Sequence, residues 1–244
     1  DRWRNRLEAL RDAALEGATA PDHFLDLEMI PAASRAGALA AKDRYAFADT
    51  LRAHRVDPAT AGALPFAMLE LTQRLRIAFR QWRAAPNDTE RRWMEARILN
   101  DAGTLGHYVA DGSNPAHTSI HYNGWVGANP KGYATDNRFH GRFESAFVQT
   151  RVKLADVQPA MSGAAQQFPA LRPAIVAYFM RTHGELERLY ALDKAAPFNA
   201  DNTTPENKAF AVERLAAGAV MLRDLWWTAW VTSAPEPSQR PAER

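Results

Sequence analysis

Apolar residues recur along most of the chain at the three-to-four residue spacing of an amphipathic helix, and almost nowhere at the two-residue spacing of a strand. Trp3, Leu7, Leu10 and Ala14 mark a first helix. Phe66, Leu69, Leu75, Phe79 and Trp82 mark a second over residues 64–84. A third is expected from about Asp88 to Asp111, with Asn87 or Asp88 as its cap and Glu90 in its first turn. Further helices are expected from His140 to about Val152, near 172–191 and over 205–232. His23 to Ile30 is the one short strand candidate. The pattern predicts an all-α fold: a single multi-helix domain over 1–232, followed by a polar, Pro-rich tail at 233–244 expected to be disordered.

Two segments break the periodicity. Residues 112–138 are rich in Gly, Asn, Pro and Ser, and long loops of this kind are usually functional. Residues 193–205 read as a connector. Composition changes little in this picture. With 244 residues the chain can bury a substantial core, and 46% hydrophobic with 24% charged is ordinary for a globule. A net charge of +2 is too small to argue for duplex nucleic acid. No apolar run approaches the roughly 18 residues of a membrane span, and no secretory leader opens at Asp1. The chain has no Cys, so a bound metal would have to be held by His, Asp and Glu.

Those residues are concentrated in one place. Four of the seven histidines lie between 107 and 140, beside Asp111 and Glu144. His107 and Asp111 are four residues apart, as are His140 and Glu144, so each pair shares one face of a helix. Imidazole nitrogen with carboxylate oxygen on a rigid support suits zinc. The run H-x-x-x-D-x-x-x-x-x-H followed by H-x-x-x-E therefore reads as two adjoining metal sites. The plain alternative is a set of helix caps and loop hydrogen bonds. His54 and His183 have no acidic partner at helical spacing and read as surface residues. Trp226, Trp227 and Trp230 read as a core stripe of the last helix rather than a membrane anchor.

The segment GHYVADGSNPAHTSIHYNGW, with FHGRFE after it, resembles the signature of the bacterial zinc-dependent phospholipases C, most of which is shared by the single-strand-specific zinc nucleases. That superfamily consists of single all-α domains that hydrolyse phosphate esters with a cluster of three zinc ions. The resemblance implies that His107 binds one zinc, that Asp111 bridges it to a neighbour, and that His117, His140 and Glu144 hold a separate zinc. The stretch Pro21-Asp22-His23-Phe24-Leu25-Asp26 resembles the family's H-F-x-D segment. It makes His23 a further ligand, with Asp22 and Asp26 as competitors for that role. Asp1, otherwise a helix cap, would complete the first site and orient or deprotonate the attacking water.

Family members also begin with a tryptophan whose amino group and carbonyl ligate the third zinc. The resemblance thus implies either that an amino-terminal segment is lacking or that the protein works with two zinc ions. His121, Tyr122 and Trp125 are candidate substrate contacts, with loop packing as the alternative for each. The implied activity is phosphodiester hydrolysis. FHGRFE and Glu144 are more phospholipase-like, whereas the long loop between His117 and His140 is closer to the nucleases. The substrate would be a phospholipid head group or single-stranded nucleic acid, and the location secreted or periplasmic, without stable membrane insertion. A non-catalytic, metal-stabilised helical domain is the alternative from another class.

Overall fold

The computed structural model describes residues 13–235 and is all-α; no β-strand occurs among the described residues. Two long helices form its spine. α1 (Leu64–Ala84) carries Pro65 in its first turn, where the missing N–H costs nothing, and buries Phe66, Leu69, Leu71 and Leu75. α2 (Asp88–Asp111) starts at Asn87, whose side chain accepts from the Glu90 amide at 2.9 Å, which decides between the two expected caps. α5 (Pro205–Thr232), the longest helix, packs on both. The expected helix over 172–191 divides into α3 (Leu171–His183) and α4 (Leu186–Ala195), with the break at Gly184-Glu185. No helix among the described residues is long and apolar enough to cross a membrane.

Two apolar clusters are packed side by side. One is built by α1, α2, α3, α5 and the 25–51 region around Leu25, Leu64, Leu105, Phe179 and Leu225; the other is an aromatic cluster of Phe139, Phe143, Phe147, Tyr190, Phe198 and Phe210. Tyr108 and Val109 of α2 belong to the first and Ala116 to the second. The residues between them, 110–115, run along the junction. Asp193, almost fully buried, holds Arg142 through two contacts of 2.7 and 3.1 Å and fixes the 139–151 segment against α4.

His23 to Ile30 is not a strand. It consists of short 3-10 turns, Ala20–His23 and Leu27–Met29, joined by extended residues. Leu25, Leu27 and Ile30 are fully buried, which explains the alternation in the sequence. The segment threads between two others. Ala63 donates to Pro21 at 2.6 Å, Leu64 to Phe24 at 3.1 Å and Asp26 to Ala61 at 2.8 Å, while Leu25 donates to the His117 carbonyl at 2.9 Å. Gly62 makes this close passage possible. Its φ is +83°, and a Cβ there would stand 2.2 Å from the Phe24 carbonyl oxygen. Gly62→Ala is expected to destabilise the fold by more than the ~1–3 kcal/mol of the backbone conformation alone. Chemical denaturation checks it; a variant of unchanged stability would show that the passage is slack.

The tryptophans of the last helix depart from a core stripe. Trp230 packs on Phe79 and lies under the Arg83 guanidinium at 3.6 Å, but Trp226 and Trp227 are exposed. Ser233, in the segment expected to be a disordered tail, is buried and accepts from Arg83 at 3.0 Å. The remaining tail, from 236, and the expected first helix up to residue 12 lie outside the described residues.

Candidate metal centres

The last turn of α2 presents His107 and Asp111 on one face, as the spacing predicts. The threaded segment brings His23 to them from the opposite side. His23 Nδ1 lies 2.9 Å from Asp111 Oδ2 and 3.0 Å from His107 Nε2, and the His107 nitrogen lies 3.3 Å from the same carboxylate oxygen. Three donor atoms thus form a nearly equilateral triangle. A tetrahedral zinc shell with bonds of about 2.0–2.1 Å has ligand–ligand edges of about 3.3 Å, so the triad matches one face of such a shell. His23 is buried, whereas the His107 side chain is 38% exposed and lines a cavity of about 930 Å³. Asp1, expected as both ligand and catalytic base here, lies outside the described residues.

The second triad forms around Glu144. Its Oε1 lies 3.0 Å from His117 Nε2 and its Oε2 lies 2.9 Å from His140 Nε2. His117 stands in a 3-10 turn (Pro115–Thr118) started by Asn114, which accepts from the Ala116 amide at 3.0 Å. His140 lies in a short helical segment, Phe139–Gly141, whose next turns, Arg142–Val148, are π-helical, a form often found at functional sites. The donor atoms of each triad lie within 4.8 Å of one another, and both triads bear the ligand types zinc prefers.

Outer contacts fix the ligands. His117 Nδ1 donates to the His23 carbonyl oxygen at 2.6 Å, which directs Nε2 to the centre and ties the two triads together. Asn114 Nδ2 donates to Glu144 Oε1 at 2.6 Å. Glu28 accepts from the Ser119 hydroxyl at 2.7 Å and the Ile120 amide at 3.1 Å, locking the threaded segment to the 112–138 loop. None of these contacts has a local signature, though the Asn-Pro pair does announce a turn. His183 is not a plain surface residue: its Nδ1 contacts the Thr118 carbonyl at 3.1 Å, and its Nε2 lies 3.8 Å from Glu28. Asp22 pairs with Arg44 at 2.8 Å. Asp26 has its carboxyl pushed up to about 7 by burial and by Glu28. It therefore changes charge near neutrality.

The electrostatics follow from this packing. Burial lowers the His107 pKa by more than Asp111 raises it. For His117 burial acts in the same direction, but the hydrogen bond to Glu144 and the fields of Asp111 and Glu144 outweigh it and hold the imidazole at about 9. Burial would raise Glu144, yet His117 and His140 keep it well below the usual carboxylate range. Without metal, the raised His117 pKa stabilises the fold fully below its unfolded value of about 6.5. That contribution is lost as pH rises through about 9. Nε2 must lose its proton before it can ligate, so zinc affinity is expected to rise with pH up to about 9, with proton release. Calorimetric titration in buffers of different ionisation enthalpy checks this; binding without proton release at pH 7 would contradict it.

Of the three expected substrate contacts, His121 and Trp125 stack on each other at 3.9 Å. His121 Nδ1 accepts from the Val126 amide at 3.0 Å, its carbonyl accepts from the Tyr190 hydroxyl, and Trp125 also packs on Tyr133 and Tyr190. These contacts order the loop. Tyr122 is exposed, with its ring 6.1 Å from that of His140. No family model, curated protein or solved structure matches the chain.

Proposed function

We propose that this chain is a zinc-dependent phosphodiester hydrolase of the kind represented by the zinc-dependent phospholipases C and single-strand-specific zinc nucleases. The observation that carries the reading is the meeting of His23 with His107 and Asp111 beside the His117–His140–Glu144 triad. Helix periodicity supplies each i,i+4 pair, but it does not require a histidine from residue 23 to arrive within 3.0 Å of both pair members. Among the described residues the second centre offers three ligands, and its Glu144 side chain is 38% exposed. Three protein ligands with solvent access is the arrangement of catalytic zinc; structural sites are closed by four. This favours hydrolysis over a purely stabilising role.

His23, His107 and Asp111 would hold one ion, and His117, His140 and Glu144 the other. Bound zinc lowers the pKa of a coordinated water to about 7 and neutralises phosphate oxygens during in-line displacement. The chain's own groups set the geometry. His117, pinned at Nδ1 by the His23 carbonyl, keeps the two centres in fixed register, and Asn114 holds the Glu144 carboxylate in place. Asp111 and Glu144 provide negative charge that offsets the cations.

The test is purified protein with zinc, assayed on a chromogenic phosphocholine ester and on single-stranded DNA. Hydrolysis of at least one, abolished by chelation and restored by zinc, is expected. No activity on either, with no zinc retained, would overturn the proposal.

A further inference from the structure

Arg44, the first residue of the helix Arg44–Ala53, holds two carboxylates at once. Its Nε and Nη2 donate to the Glu70 oxygens at 2.7 and 2.6 Å. Its Nη1 and Nη2 donate to the Asp22 oxygens at 2.8 and 3.4 Å. A planar guanidinium can fork to two carboxylates in this way; a single ammonium cannot. Glu70 belongs to α1, and Asp22 directly precedes His23. The clamp therefore runs from the spine of the fold to the residue beside a ligand of the first centre. All three of its side chains line the cavity of about 930 Å³ that His107 also lines.

The main-chain bonds that fix the threaded segment to the start of α1 fall on either side of this point. Pro21 accepts from Ala63 at 2.6 Å, and Phe24 accepts from Leu64 at 3.1 Å. The His23 carbonyl is held by His117, which belongs to the other centre. Between Pro21 and Phe24 it is the Asp22 side chain, through Arg44, that is tied to α1. His23 closes the short 3-10 turn Ala20–His23, so a shift of Asp22 carries the imidazole with it. The ligand triangle has edges of 2.9 to 3.3 Å, and a displacement of roughly 1 Å spoils such a site.

We propose that Arg44 is a positioning residue of the first metal centre: by bridging Glu70 and Asp22 it fixes the turn that sets His23 against His107 and Asp111. The inference rests on the metal-centre reading above, but its test does not depend on turnover. Zinc affinity is measured by competition with a fluorescent chelator in a His140→Ala background, which disables the second triad. Arg44→Ala is expected to lower the affinity of the first centre about tenfold. Arg44→Lys, which restores the charge without the fork, is expected to lower it as well. Cobalt bound in place of zinc reports ligand geometry through its absorption bands, which are expected to shift in both variants.

Circular dichroism establishes that each variant folds. Glu70→Gln, which keeps the shape of one arm and removes its charge, is the milder variant and is expected to weaken binding less. Both substitutions break one clamp, so Glu70→Gln should add little to Arg44→Ala. Weakened zinc binding in this pattern, without hydrolysis of either substrate by the parent chain, would support the clamp while counting against the hydrolase. Parent affinity in Arg44→Ala would overturn the clamp. So would parent affinity with an unshifted cobalt spectrum in Arg44→Lys, because a cation alone would then suffice.

Discussion

Substitution of His117 by alanine is expected to remove zinc from the second triad altogether and to weaken the first as well. The first effect follows from loss of a ligand, which leaves His140 and Glu144 among the described residues. The second follows from the 2.6 Å bond between His117 Nδ1 and the His23 carbonyl, which orients a ligand of the other centre. Loss of an outer partner of this kind costs about 10–100-fold in metal affinity. Competition with a fluorescent chelator measures both sites. The bond from Leu25 N to the His117 carbonyl survives the substitution, so the threaded segment stays in place and the fold should persist. A variant that keeps two zinc ions at parent affinity would show that His117 serves only the loop.

Stripping zinc is expected to lower the melting temperature substantially. Each site filled at about a thousand times its Kd stabilises the native state by about 4 kcal/mol. In a chain of this size 1 kcal/mol shifts the midpoint by about 2–4 °C, so each centre should contribute roughly 8–16 °C. The physical source is the crowding of His23 against His107 and Asp111, all within 3.3 Å of one another although His23 is far from the other two in sequence, with no disulfide to hold them. Differential scanning calorimetry with and without chelator provides the comparison. Superimposable melting curves would exclude metal as part of the folded structure.

The long helices were legible because their apolar period and their caps agree: Leu64–Ala84, Asp88–Asp111 and Pro205–Thr232 fall where the pattern places them. The pairs His107–Asp111 and His140–Glu144 were legible for the same reason, since a helix turns spacing into proximity. What spacing could not supply is contact between distant segments. His23 reaches the first centre through main-chain bonds to Ala61, Leu64 and His117, made possible by Gly62. Asn114 on Glu144 and Glu28 on Ser119 are equally non-local. His183 looked isolated because its partners, Thr118 and Glu28, come from other elements. The apparent strand at 23–30 and the apparent tryptophan stripe share one cause. Burial alternates in short 3-10 turns much as it does in a strand, and the last helix presents Trp226 and Trp227 to solvent although its neighbours pack.

The most direct test of the two-centre account is anomalous diffraction at the zinc absorption edge from crystals of the zinc-loaded chain. The account predicts one peak bounded by His23 Nδ1, His107 Nε2 and the Asp111 carboxylate, and another bounded by His117, His140 and Glu144, each at bonding distances of about 2.0–2.2 Å. Absence of peaks at both triads, or zinc held by other residues, would contradict it.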